Sequence, residues 1–369
     1  MAALKQSDRV ISIGLTVTTS LLERLSSIER PFSELEDLVL LSRDGVPPTL
    51  PSAFQWGPRL RTLHLTRTAI PTLPVILSLS TDLVDLQLHE VPDSGYVSPT
   101  EFANALSRKT HLQSLSLHFL SSSLPTNHNL LPPRPRKRVV LPALTCLKYQ
   151  GTDTYLEDFV ARIDAPCLRD IDIFVFGLSK GAPELGRFIS RIKLWTSLKR
   201  VAILSSKHAI SITVTQPEAL TRLELKISCN ILTVQLNYMF SFCNGLSTVL
   251  RRAEHLRICT TLPTTRQKYS YPKQWLELIR TFRRAKWVHV FGEISTNIVL
   301  ALQIYEMRRE TVLPALCKLC IRKPEPRPAS FQDAVESLIY SRWLSGQFIA
   351  VEYERLWSNE LRGTGTAFV

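Results

Sequence analysis

The stretch Leu60-Arg-Thr-Leu63-His-Leu65 constrains the fold of this chain more than any other, because it recurs. Copies follow as Leu83-Val-Asp-Leu86-Gln-Leu88 and Leu112-Gln-Ser-Leu115-Ser-Leu117. Apolar residues at the fourth and sixth positions, with polar neighbours between them, alternate with period two, the pattern of a strand with one dry face. A single short strand cannot bury that face alone. Copies must therefore stack edge to edge and share one core.

Taken by their first apolar residue, the copies begin at Val10, Leu35, Leu60, Leu83, Leu112, Leu144, Leu168, Leu198, Leu220, Ala253, Ala285 and Leu316. The steps run from 22 residues (Leu198 to Leu220) to 33 (Leu220 to Ala253), around the roughly 20–29 residues of leucine-rich repeats. The pattern predicts an α/β leucine-rich-repeat solenoid, a horseshoe with an inner parallel sheet and outer helices or irregular segments. It spans 1–362, with 363–369 as a mobile tail.

The longer steps leave room for outer helices. Ser98-Pro-Thr-Glu101 reads as a capping box with Pro at the first helical position, ahead of Phe102, Ala105 and Leu106 on one face. Thr154-Tyr-Leu-Glu157 reads as a second box, and Ser330-Phe-Gln-Asp333 as a weaker third ahead of a C-terminal helix over 331–345. Between Leu198 and Leu220, the alternation Ile210-Ser-Ile212-Thr-Val214 predicts an extra strand in place of a helix. From Cys229 to Leu250 the apolar residues are nearly continuous and yield no repeat strand. Residues 121–138, rich in Ser, Pro and Arg, read as an exposed basic loop. Its Arg134-Pro-Arg136-Lys137-Arg138 run leaves a nuclear address open beside a solvated linker.

With 44% hydrophobic and 21% charged residues the chain is globular. No apolar run reaches the roughly 20 residues of a membrane helix, and no secretory signal opens the chain, so an intracellular protein, cytoplasmic or nuclear, without a membrane partner is expected. Seven irregularly spaced cysteines fit reduced thiols. The net charge of +13 is spread along the chain, so a nucleic-acid partner is not expected.

Phosphate-loop, nucleophile-elbow and His-Glu-x-x-His motifs are all missing from the sequence, which predicts no enzyme and no cofactor. Cys317-Lys-Leu-Cys320 has no second ligand pair, and its odd spacing on a strand turns the two thiols apart. Residues flanking the fourth and sixth positions face away from the core. This rule places His64, His89, His118, Lys148, Asp172, Phe174, His255, Arg257, Trp287, His289 and Phe291 on the concave side. His89 and His118 share a column, with Asp85 nearby. Such a group can hold a metal, though polar residues are ordinary on a wet face, and no metal site is predicted. Phe174 and Phe291 are either recognition anchors or covered by a neighbouring loop.

Several segments match in wording as well as pattern. Pro31-Phe-Ser-Glu-Leu-Glu, Trp56-Gly-Pro-Arg-Leu-Arg-Thr-Leu63, Asp82-Leu-Val-Asp-Leu-Gln-Leu88 and Ser94-Gly-Tyr-Val-Ser-Pro99 resemble F-box and leucine-rich-repeat-like proteins of mushroom-forming fungi. So do Arg138-Val-Val-Leu-Pro-Ala-Leu-Thr-Cys146 and Tyr155-Leu-Glu-Asp-Phe-Val-Ala-Arg-Ile-Asp-Ala-Pro166. The resemblance implies a protein-recognition domain, the substrate-receptor-like part of an F-box type ubiquitin ligase, with a protein client. In that family a Leu-Pro-x-Glu F-box docks on the ligase adaptor. This sequence opens instead on Val10-Ile-Ser-Ile-Gly-Leu15, so the adaptor is expected as a partner only if an F-box is supplied. The alternative is a stand-alone interaction scaffold.

Overall fold

The computed structural model describes residues 7–21, 32–43, 59–69, 73–120, 137–176, 182–192, 195, 199–216, 220–228, 232–261, 272–292, 294–307, 311–322 and 329–353. The expected repeat start at Leu198, most of the 121–138 loop and the 363–369 tail lie outside these residues. Two compact units are present, Met1–Thr196 with Gln216–Ser228, and Ser197–Thr215 with Cys229–Val369.

In the first unit β1 (Ser12–Val17), β2 (Asp37–Ser42), β3 (Thr62–Thr66), β4 (Asp85–Val91), β5 (Ser114–Phe119), β7 (Cys146–Gly151), β9 (Asp170–Val175) and β12 (Thr221–Ser228) lie side by side in that order. Every adjacent pair is parallel. Strands begin two residues after the expected first apolar position, as Leu60 precedes Thr62 and Leu144 precedes Cys146. The fourth and sixth positions fill the core: Leu63, Leu65, Leu86, Leu88, Leu115, Leu117, Leu147, Tyr149, Ile171 and Ile173 are all buried. A one-residue slip would turn this whole set to solvent, so the pairing register follows from the pattern.

One backbone device repeats with the strands. The carbonyl of Arg61 accepts from the amides of both Val84 and Asp85. The carbonyls of Val84, Gln113 and Thr145 do the same for the next three copies. Three residues before each first apolar position lies another buried column: Phe32, Ser80, Lys109, Leu141, Ala165 and Trp195. Lys109 stands in this column between Ser80 and Leu141. Its stem fills the slot and its ammonium donates to the carbonyl of Ser80, one copy back. Burial lowers its pKa to about 8.

Helices α1 (Leu73–Leu79), α2 (Pro99–Leu106), α3 (Asp153–Arg162) and α4 (Pro183–Arg191) cover the apolar side, and the short strands β6 (Val139–Val140) and β8 (Ile163–Asp164) pair in parallel. Phe102 of α2 meets Phe159 of α3 at 5.5 Å between ring centroids, and Tyr155 meets Phe119 of β5 at 4.7 Å. The Ser98–Glu101 capping box forms as predicted, with Pro99 at the first helical position. The Thr154–Glu157 box does not. Helix α3 starts at Asp153 with Thr152 at its cap, so Thr154 is already inside. Glu157 instead caps the next helix: its carboxylate accepts from the amides of Glu184 (2.7 Å) and Leu185 (2.9 Å) at the head of α4, whose own cap, Ala182, has no side-chain acceptor.

The second unit carries β11 (Ala209–Gln216), β10 (Arg200–Ser205), β13 (His255–Thr260), β14 (Trp287–Phe291), β15 (Lys318–Arg322) and β16 (Ala350–Tyr353), in that order. The expected extra strand is β11, antiparallel to β10; the other pairs are parallel. Its helices are α5 (Leu232–Gly245), α6 (Ser247–Leu250), α7 (Pro272–Ile279), α8 (Ile294–Met307) and α9 (Ala329–Leu344). Of the stretch from Cys229 to Leu250, residues 229–231 lie outside the described residues and the rest forms α5 and α6; Leu236, Met239, Phe242 and Cys243 of α5 are buried at helical spacing, as is Leu246 between the two helices. The C-terminal helix forms as α9 but contains Ser330, which therefore does not precede it as a cap. Leu220 is a further correction: 86% exposed with φ at +50°, it sits in a turn while Leu223 and Leu225 carry the core of β12. Among the described residues no helix is long and apolar enough to cross a membrane.

Candidate functional site

The face opposite the leucine core holds the predicted site residues, and each unit presents its own set. In the first unit strand pairing sets His64 of β3 beside Gln87 of β4, and Asp85, two residues before Gln87 on the same strand, meets both. His64 Nε2 lies 2.7 Å from Asp85 Oδ2 and donates to it, as a carboxylate oxygen only accepts. Gln87 donates to the same oxygen at 2.9 Å. The other oxygen, Asp85 Oδ1, is buried without a hydrogen-bond partner among the described residues.

His89 and His118 occupy one column, as expected, and stack at 4.3 Å with 4° between their planes. His89 Nε2 lies 3.0 Å from Ser116 Oγ, and His118 Nε2 lies 3.4 Å from the same hydroxyl. Desolvation, reinforced by the neighbouring imidazole and Lys148, lowers the pKa of His118 to about 4, and His89 shifts the same way. Both shifts favour the neutral imidazole. Among the described residues no three His, Cys, Asp or Glu side chains form a metal cluster.

Farther along this face, Lys148 and Asp172 are register partners and both exposed. Desolvation and the nearby Glu224 raise the Asp172 pKa. Phe174 is half-buried, edge-on to Phe176 at 5.4 Å with the Lys226 ammonium 5.2 Å from its ring. It belongs to the polar face, not the core.

In the second unit His255 tilts over Trp287 at 4.1 Å. Phe291 is held between two guanidinium groups, Arg257 at 4.5 Å and Arg322 at 5.8 Å from the ring centroid, with His289 stacked at 6.4 Å. Behind it Gly292 has φ +83°, and a Cβ there would stand 2.8 Å from the carbonyl oxygen of Thr260, so this exit from β14 requires glycine. Of the Cys-x-x-Cys pair, Cys317 is exposed, whereas Cys320 is buried with its Sγ 3.9 Å from Glu352.

No protein-family model matches the chain, and no curated protein matches it. Function must therefore be argued from the faces themselves. The predicted residues fall into two groups: His64, His89, His118, Lys148, Asp172 and Phe174 in the first unit, and Arg257, Trp287, His289 and Phe291 in the second. Sequence reasoning missed Lys226 and Arg322, the cations on the two phenylalanines. The same alternation rule, applied to β12 and β15, finds both.

Proposed function

We propose that the polar strand faces of the two units are protein-recognition surfaces of a leucine-rich-repeat solenoid. The observation that carries this reading is Phe291 between Arg257 and Arg322, an aromatic ring kept out of the core and packed against cations. Aromatic and arginine side chains are the residues that most often anchor protein interfaces. The registered columns of His, Lys, Asp and Phe around such anchors supply both signs of charge for selecting a partner. The repeating strand register and the doubly accepting carbonyls support the solenoid.

The setting proposed for this recognition is the choice of a ubiquitination target, which rests on the resemblance to fungal F-box and leucine-rich-repeat-like proteins. The test is affinity capture from the native cell with wild type, Phe174→Ser and Phe291→Ser, scored for client and for ligase adaptor. Client capture is expected to fall in at least one variant while the unfolding midpoint stays within a few degrees. Client without adaptor would favour the stand-alone scaffold. Undiminished capture by both variants at unchanged stability would sink the recognition-face assignment.

A further inference from the structure

Four arginines gather in the second unit, at the edge where the chain enters its parallel strands. Arg251 and Arg252 occupy the turn between α6 and β13, and Arg283 and Arg284 the turn between α7 and β14. The two pairs are equivalent: each stands one and two residues before the first apolar position of its copy, Ala253 and Ala285. Because β13 and β14 pair in parallel register, the fold sets one arginine pair against the other across about 5 Å of strand spacing.

The four side chains line one groove of about 450 Å³ together with Thr248. Arg283 also lines an adjoining groove of about 380 Å³ with Arg280, Thr311, Val312 and Pro314. Among the described residues no carboxylate lines either groove. Two acids on these elements are already paired, Glu254 with Lys286 at 3.2 Å and Glu277 with Arg280 of the adjoining groove at 3.4 Å. Arg251, Arg283 and Arg284 have no ion-pair partner among the described residues. Packing like charges this closely costs the folded chain free energy and contributes nothing to its core. An anion in the groove would reverse the sign of that contribution.

We infer that this groove is a binding site for a compact polyphosphate. Guanidinium groups match phosphate oxygens in bidentate geometry and stay charged at every physiological pH. The threonine hydroxyls add neutral donors. Among the described residues no aromatic side chain lines either groove, so none of them offers a platform for a nucleobase. The cations form a cluster one strand spacing wide and not a track, which suits several phosphates on a small molecule better than a nucleic-acid backbone. The groove volumes fall in the range of small-ligand sites.

The test uses the full chain and sodium tripolyphosphate as probe, by calorimetry at physiological salt, with inorganic phosphate and a single-stranded oligonucleotide as parallel arms. Expected is saturable one-to-one binding of tripolyphosphate, at least about tenfold tighter than inorganic phosphate, because several guanidinium groups act together. The Arg251→Gln, Arg283→Gln double variant should lose at least about tenfold in affinity. Without ligand the double variant should unfold at the same or a slightly higher temperature, since like charges are removed from an exposed site. A control of the same net charge, Arg9→Gln with Arg169→Gln, should bind as wild type. Equal weakening in the control, tighter binding of the oligonucleotide, or no saturable tripolyphosphate binding would each overturn the proposal.

Discussion

At the scale of single residues, the least forgiving position is the ion pair between Arg342 of α9 and Glu306 of α8. Arg342 is 0% exposed; its Nη2 lies 2.5 Å from Glu306 Oε1 and its Nη1 donates to the carbonyl of Leu313 at 2.9 Å. Such a pair gains little over apolar residues of the same shape, but breaking it strands a buried charge. Glu306→Ala should therefore lower unfolding free energy by about 3–5 kcal/mol, and Glu306→Leu combined with Arg342→Met should recover most of the loss. Chemical denaturation of the three proteins checks this; a single variant as stable as wild type would show that Arg342 finds water on losing its partner. Leu220 carries the opposite lesson. Its identity fits the repeat, yet its left-handed backbone removes it from the core.

At the scale of elements, the link between successive helices rests on Glu157. Burial pushes its pKa up to about 7, while the amides of Glu184 and Leu185 oppose the shift. An acid whose folded pKa is raised takes up a proton on folding. Its contribution is fully present below the ordinary value of 4.5 and is lost as pH rises through about 7. Relative to Glu157→Gln, the wild type should lose about 2.5 kcal/mol between pH 5 and pH 8. Denaturation of both proteins at the two pH values reads this difference, and a constant gap would mean that the carboxylate titrates as an exposed one does. The strand of each repeat was legible before the structure, since alternation is local. The trans cap was not: Glu157 was read with Thr154, three residues away, whereas its partners are 27 and 28 residues on.

At the scale of the whole molecule, thiol reactivity samples both units at once. Cys167 and Cys317 are exposed, whereas Cys243 is wholly buried and desolvation raises its thiol pKa far from the reactive range. Brief maleimide treatment of the native protein, followed by peptide mass mapping, should modify Cys167 and Cys317 first and leave Cys243 and Cys320 intact until denaturant is added. Labelling of Cys243 at the rate of Cys317 would show that α5 opens readily under native conditions. The net charge of +13 belongs to this scale as well. Read as composition it is a diffuse surface property, but in the second unit part of it is gathered into one arginine groove.

By itself the sequence determined the core-facing positions of most strands and the face that holds His64, His89, His118, Phe174 and Phe291, but not the start of β12 nor the strands β6, β8 and β16. Those outcomes depend on a two-residue alternation that any short stretch carries in full. Tertiary structure alone decided that Lys109 fills an apolar column, that Glu157 caps a later helix, that Arg342 meets Glu306, and that Arg257 and Arg322 close on Phe291. Each of these contacts joins copies separated by connections of unequal length. Their geometry is set by how neighbouring repeats settle against one another, a quantity that periodicity within one repeat does not encode.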